Sequence, residues 1–202
     1  AEVIVVEVGG TVGDIEGLPF LEAIRQMRRE IGKDNVFYIH VTFLPYLSST
    51  RELKTKPTQH SVRELRGIGI LPDAIICRSD YAVDDNIKNK ISIHCDVPVD
   101  AVLTLPTVSS VYEVPLILEE SGLGELIEDT LDLGFQKQDL IEWRNLVAAI
   151  KKPKESVFIP AGSIHRIENP YKVPVKILEI QTGSILKETD IVRYQDIYGR
   201  VK

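Results

Sequence analysis

Residues 7–16 have the sequence Glu7-Val8-Gly9-Gly10-Thr11-Val12-Gly13-Asp14-Ile15-Glu16 and follow an apolar run, Val3–Val6. A hydrophobic strand, a Gly-rich turn and a helix, in that order, are typical of the first unit of a nucleotide-binding α/β domain. Glycines let the backbone approach a ligand closely, and carboxylate oxygens suit a divalent metal. We therefore expect residues 2–8 to form a buried strand that ends at Glu7, beside a ligand site.

The composition excludes several classes of protein. The chain has 202 residues, a formal net charge of −6, 44% hydrophobic residues and 27% charged residues. This acidity argues against a nucleic-acid-binding surface, because no basic stripe offsets it. No stretch approaches the ~18 apolar residues of a membrane span, and the N-terminus lacks signal-peptide organisation. We expect a cytoplasmic protein in which Cys77 and Cys95 are buried thiols, with neither a nucleic-acid nor a membrane partner.

Strands alternate with helices over the first three quarters of the chain. Apolar periodicity predicts strands at 35–43, 73–77 and 100–105, and helices at 18–31, 57–66, 84–94, 112–118, 123–133 and 138–150. This alternation predicts βαβ units and therefore a parallel sheet. Function in such a sheet lies at the carboxyl ends of the strands, where we expect both Glu7 and the loop that follows Phe43.

That loop leads into a cationic stretch, Lys54-Thr55-Lys56-Pro57-Thr58-Gln59. Two ammonium groups, two hydroxyls and a helix N-terminus form a suitable triphosphate site. Each motif also has a simpler interpretation: the stretch is a solvated loop, Glu7 emerges into solvent, and Asp14 and Glu16 cap the next helix.

The pattern changes after a proline-containing linker, Lys151-Lys152-Pro153-Lys154. Residues 156–160, 164–167 and 173–181 alternate apolar and polar positions and are separated by turn residues, which predicts short antiparallel strands. We place a domain boundary here, between residues 1–154 and 155–202.

Four stretches of the first domain, EVGGTVGDIEGLPFLEAIRQ, HVTFLPYL, KTKPTQHSVRELRGIGILPDAIICRSD and SSVYEVPLIL, resemble the amidoligase domain of CTP synthase. The resemblance covers residues 1–154 in order. It implies an α/β, parallel-sheet, P-loop-NTPase-like domain, here incomplete. It also implies a ligase of pyrimidine biosynthesis that uses ATP and Mg²⁺ to aminate UTP to CTP.

The resemblance also implies roles for individual residues. Glu7 matches a magnesium ligand, and Asp14, Ile15 and Glu16 match a segment that contacts UTP or CTP. The triphosphate would be held by Lys54, Thr55, Lys56, Pro57, Thr58 and Gln59, with Lys54 and Lys56 serving in catalysis and Lys90 as a further nucleotide ligand. Among Pro106, Thr107 and Val108, at the family's adenine contact, only Val108 keeps the family residue. The family is a homotetramer with pyrimidine-nucleotide sites at subunit interfaces.

The family's P-loop portion is expected before Ala1 and its glutaminase domain after residue ~154. We therefore expect a fragment that keeps its UTP/CTP and magnesium segments but is inactive as an enzyme by itself.

The tail has a second resemblance. Residues 160–169, PAGSIHRIEN, fit the cupin motif PxGxxHxxxN, in which a turn presents one imidazole to a metal, here His165. The later sequence DIVRYQDIYGR resembles the C-terminal end of bifunctional mannose-1-phosphate guanylyltransferase/mannose-6-phosphate isomerase, over residues 155–202. Two alternative functions follow: a sugar-phosphate enzyme remnant, and a non-catalytic module that co-assembles with intact CTP synthase through the 18–31 helix.

Overall fold

The computed structural model describes residues 3–134 and 139–151 of the chain. The chain separates into two units, Ala1–Pro153 and Lys154–Lys202, and the described residues belong to the first. The antiparallel strands predicted for the tail and the motif around His165 lie outside the described residues.

A parallel sheet forms the centre of the first unit. The strands of the described residues are β1 (Ile39–Phe43), β2 (Tyr46–Leu47), β3 (Glu52–Leu53), β4 (Ala74–Ser79) and β5 (Val102–Pro106). Strands β1, β4 and β5 pair in that order and all run parallel, whereas β2 and β3 form a small antiparallel pair. The predicted α/β class with a parallel sheet is confirmed. The antiparallel pair lies inside the stretch that was predicted as a loop.

The helices follow the predicted periodicity closely. They are α1 (Leu18–Ile31), α2 (Lys56–Ile68), α3 (Asp85–Cys95), α4 (Val114–Glu120), α5 (Leu123–Leu131) and α6 (Ile141–Lys151). α1 has Pro19 in its first turn and ends at Gly32, whose φ of 93° is unfavourable for residues with a side chain.

The main core lies where helices cover the sheet. Val62 of α2 and Ile91 of α3 are fully buried in one cluster with Ile75 of β4 and Val102 of β5, and Leu126 of α5 packs against the same cluster. A smaller cluster of Leu21, Leu65 and Ile70 joins α1 to α2. These contacts fix α2, and with it the predicted cationic stretch, against the sheet.

The buried strand predicted for residues 2–8 is wrong. Val3–Val6 lie outside any strand, and the side chains of Ile4 and Val5 are 79% and 92% exposed. A β-branched run becomes a strand only where a neighbour supplies backbone partners. Within residues 3–134 and 139–151, β1 pairs with β4 along one edge and with no strand along the other. Glu7 consequently does not stand at the end of a sheet strand.

Of the helices described, none combines the length and the apolar character that crossing a membrane requires.

Candidate nucleotide-binding site

Three strand ends are tied together at the carboxyl edge of the sheet. The amide of Leu44, just after β1, donates to the carbonyl of Arg78 in β4 at 2.8 Å, and the amide of Thr107, just after β5, donates to the carbonyl of Ser79 at 3.0 Å. The amide of Lys54 donates to the carbonyl of Pro45 at 2.9 Å. The cationic stretch therefore begins at this edge, as the sequence predicts for a site in a parallel sheet.

Lys54 is paired with an acidic neighbour that the sequence analysis overlooked. Its ammonium group donates to the carboxylate of Glu52 and forms an ion pair with it. Hydrogen bonds from Lys54 and then Thr50 hold the pKa of Glu52 below its ordinary value, and the charge of Lys90 acts in the same direction. Residues two apart on an extended segment share a side, so the spacing of Glu52 and Lys54 was the available signal.

The next residues form a network of their own. Lys56 donates through Nζ to Oε1 of Gln59 at 3.1 Å, and Gln59 donates through Nε2 to the hydroxyl of Thr55 at 2.9 Å. Thr55 and Gln59 are buried, whereas Lys56 and Pro57 are exposed. Thr55 is the N-cap of α2 but makes no side-chain capping hydrogen bond, so the first-turn amides keep the capacity to bind an anion.

Thr58 faces the sheet. Its side chain is fully buried, and its hydroxyl lies 2.9 Å from the hydroxyl of Thr42 on β1. One turn further along α2, the hydroxyl of Ser61 lies 2.8 Å from Nε2 of His40. Burial lowers the pKa of His40. Thr58 thus contacts the strand rather than the space in front of Lys54 and Lys56.

The Gly-rich loop is held by its own turn. The carboxylate of Asp14 accepts from the amide of Thr11 at 2.8 Å, and a side chain at Gly10, whose φ is 85°, would approach Asp14 Oδ2 to 3.3 Å. The alternative that Asp14 caps the next helix through its side chain is wrong, because no such bond forms. Ile15 and Glu16 are exposed.

Glu7 is also exposed. Among the residues of the described unit, no hydrogen bond or ion pair joins the 7–16 loop to the Lys54–Gln59 stretch. In the same part of the chain, no group of three or more His, Cys, Asp and Glu residues is placed to hold a metal ion.

At the end of β5, Thr107 donates its hydroxyl to the carboxylate of Asp80, and Val108 is half-buried beside it. Next to Asp80, the ring of Tyr81 stacks on that of Tyr46 with 4.1 Å between centroids. The stack joins the β2–β3 segment to the end of β4. Nothing in the sequence pattern indicated it.

The two cysteines are buried, as predicted. Burial raises the pKa of Cys77 to about 12, and burial also raises the pKa of Cys95. Thiols with raised pKa values remain protonated near neutral pH and are poor nucleophiles. Neither cysteine is therefore a candidate nucleophile.

The comparison with protein families decides the assignment of this unit. The family described as CTP synthase N-terminus matches residues 1–133, about two thirds of the chain. The chain belongs to this family. It is 62% identical over 154 residues to the CTP synthase of Herpetosiphon aurantiacus and 61% identical over 159 residues to that of Roseiflexus castenholzii. These alignments cover 76% and 79% of the chain but only 29% of each relative.

The tail matches a different family. The family described as mannose-6-phosphate isomerase C-terminal matches residues 141–196, so the match begins at the first residue of α6, ahead of the predicted boundary. The CTP synthase of Chloroflexus aggregans is 51% identical to the chain over 192 residues, 95% of the chain and 35% of that relative. The two similarities therefore overlap beyond residue 141.

Proposed function

We propose that this chain is the pyrimidine-nucleotide-binding part of a CTP synthase, an ATP-dependent ligase that aminates UTP to CTP. The observation that carries the proposal is the position of Lys54 and Lys56 at the start of α2, beside the carboxyl edge of the sheet, where the N-cap residue makes no side-chain capping hydrogen bond. The CTP synthases of Herpetosiphon aurantiacus and Roseiflexus castenholzii are 62% and 61% identical to the chain over 154 and 159 residues.

The chemistry of the cluster suits a nucleoside triphosphate. Lys54 and Lys56 supply positive charges, and the amides of Lys56 and Thr58 supply directional donors in a first turn where Pro57 has no N–H. In the free chain Glu52 neutralises Lys54. A triphosphate would replace Glu52 as the ion-pair partner of Lys54. The Glu52 side chain is exposed, so its carboxylate could then be hydrated.

Glu7 is the proposed magnesium ligand. Mg²⁺ in nucleotide sites is held by one or two carboxylates together with substrate phosphates and water. One exposed carboxylate therefore fits an ion that arrives with the nucleotide, and when bound the ion would neutralise phosphate charge. Asp14, Ile15 and Glu16 are proposed to contact the nucleotide from the same loop, and Val108 to contact the adenine of ATP.

Titration of the full chain with CTP and UTP in the presence of Mg²⁺ tests the proposal. We expect binding of both triphosphates and much weaker binding of CMP, which keeps one phosphate but lacks the β- and γ-phosphates. Lys54→Gln combined with Lys56→Gln should abolish binding. Lys33→Gln removes an exposed lysine that lies in the turn after α1 and should leave the affinity unchanged. A folded chain that binds neither triphosphate at about millimolar concentration would overturn the proposal.

We also propose homo-oligomerisation, tetrameric as in the family, and a cytoplasmic location. A co-assembly role with intact CTP synthase gains support from α1, where Phe20, Met27 and Ile31 are exposed at a spacing that puts them on one side of the helix. Mixing the chain with an intact CTP synthase and measuring the molar mass of the resulting complexes tests this role. Mixed oligomers would support co-assembly, and their absence would contradict it.

A remnant of a sugar-phosphate enzyme is a second candidate, supported by the match over residues 141–196. His165 would then be a ligand of a divalent metal. One imidazole does not supply the three protein ligands of an open catalytic zinc site. We therefore expect no isomerisation of mannose 6-phosphate with added zinc, and measurable turnover would establish this candidate instead.

A further inference from the structure

Two polar pairs join β1 to α2. His40 Nε2 lies 2.8 Å from Ser61 Oγ, and Thr42 Oγ1 lies 2.9 Å from Thr58 Oγ1. Residues 40 and 42 share one face of the strand, and residues 58 and 61 share one side of the helix. The pairs therefore form two successive contacts along antiparallel elements. We call these four residues the polar ladder.

The polar ladder accompanies apolar packing of α2. Val62 is buried in the main core cluster and Leu65 in the smaller cluster, and apolar contacts do not by themselves select one position of a helix along a strand. Hydrogen bonds are directional, and a buried hydroxyl that loses its partner is costly. The two pairs consequently fix how far α2 is shifted along β1.

The polar ladder is directly connected to the cationic stretch. Thr58 belongs to both, and it lies between Lys56 and Gln59, which contact each other and, through Gln59, Thr55. Because the Thr58 hydroxyl is fully buried and faces Thr42, it is not presented to a ligand in front of the lysines. A shift of Thr58 would move the start of α2 and both neighbouring side chains.

We propose that Thr42 is a positioning residue for nucleotide binding, which acts by holding Thr58 and therefore Lys56 and the first turn of α2. Thr58 itself is assigned the same positioning role instead of a contact with the triphosphate. The inference rests on the proposed function of the site, and it assigns a role to Thr42, a residue outside the cationic stretch.

Replacement of Thr42 tests the proposal by titration of the full chain with CTP and Mg²⁺. Thr42→Val keeps the shape but removes the hydroxyl, and we expect roughly three- to tenfold weaker binding, the effect of one lost hydrogen bond. Thr42→Ser keeps the hydroxyl and should restore most of the affinity. Thr130→Val is the matched control, because the Thr130 hydroxyl donates to the carbonyl of Leu126 within α5, away from β1 and α2.

The double variant separates positioning from direct contact. If Thr58 acts only through Thr42, Thr42→Val with Thr58→Val will bind CTP no more weakly than the weaker single variant. Additive losses, or an unchanged affinity of Thr42→Val, would overturn the proposal, because Thr58 would then contact the nucleotide or Thr42 would have no influence on it.

A second measurement keeps this test independent of nucleotide binding. Amide hydrogen exchange of Thr58 and Gln59 should be faster in Thr42→Val than in the unchanged chain, and unaffected in Thr130→Val. If the unchanged chain bound no nucleotide, the proposed function would fail, and equal exchange rates would in addition show that Thr42 does not hold the start of α2.

Discussion

At the scale of single residues, the ion pair between Lys54 and Glu52 determines how much positive charge the proposed nucleotide site offers to a phosphate. Glu52→Gln removes a carboxylate that competes with phosphate for Lys54. We expect this variant to bind CTP about two- to fivefold more tightly at low ionic strength, because an exposed ion pair contributes only a small free energy. The gain should shrink as salt is added, because exposed charges are screened.

The control for this prediction is Glu64→Gln. Glu64 is exposed on α2 and forms an ion pair with its neighbour Arg63. This variant has the same change in net charge, so a gain of equal size would show that overall charge, rather than competition for Lys54, controls CTP affinity.

His40 makes folding stability depend on pH. Burial lowers its pKa below the ordinary value of 6.5, so the unfolded chain takes up this proton more readily than the folded chain. The contribution of neutral His40 is fully present above that value, and it is lost as the pH falls through the range just below it. Urea unfolding across this range should therefore give a free energy of unfolding that decreases as the pH is lowered.

The His40→Gln variant should show a flatter dependence of unfolding free energy on pH. His60→Gln, which alters an exposed histidine on the same helix that His40 contacts, should keep the original slope. Equal slopes in the unchanged chain and in His40→Gln would rule out His40 as the source.

At the scale of elements, Asp73 attaches α1 to the sheet. Its carboxylate accepts from Arg28 at 2.8 Å and from the amide of Tyr38 at 2.7 Å, and Arg28 also lies over the Tyr38 ring. Asp73→Ala would leave both donors without this partner in a partly buried place, which costs about 2–3 kcal/mol. We expect the midpoint of thermal unfolding to fall by roughly 4–10 °C, and Asp129→Ala, an exposed change on α5, to leave it unchanged.

The helices and central strands followed from the sequence because their signals are local. α1 has the predicted bounds since Pro19 and Gly32 mark its ends independently of any contact. Residues 2–8 carry an equally clear strand pattern, yet their pairing requires a neighbour, and a pattern of β-branched residues does not reveal whether one is present.

Only part of the candidate site could be predicted for the same reason. The residue types of the Lys54–Gln59 stretch indicated phosphate binding, and the structure places the stretch at the expected edge of the sheet. Which side chains face a ligand depends on helix rotation. Thr58 and Lys56 differ by two positions on α2, so one is buried against Thr42 and the other is exposed.

At the scale of the whole molecule, the two family matches, at residues 1–133 and 141–196, meet near α6. This helix belongs to the first unit and packs near α4, since Trp143 donates to the carbonyl of Tyr112 at 2.8 Å and Arg144 pairs with Glu120. α6 is thus part of the unit that matches CTP synthase, although the match to the second family begins at Ile141, the first residue of this helix.

The exposed apolar surface of the first unit predicts self-association. Val3–Val6 are exposed, and Val41 and Phe43 of β1 are 56% and 46% exposed beside the edge that has no partner among the described residues. Unpaired edges with apolar side chains promote pairing between chains.

We expect the sedimentation coefficient of the chain to rise with protein concentration. The double variant Val41→Lys, Ile4→Lys should show a smaller rise, because charged side chains oppose pairing at the edge. Ile93→Lys is the matched control on α3, as Ile93 is 78% exposed but lies on a helix. A concentration-independent monomer, or equal suppression by Ile93→Lys, would show that this edge does not drive association.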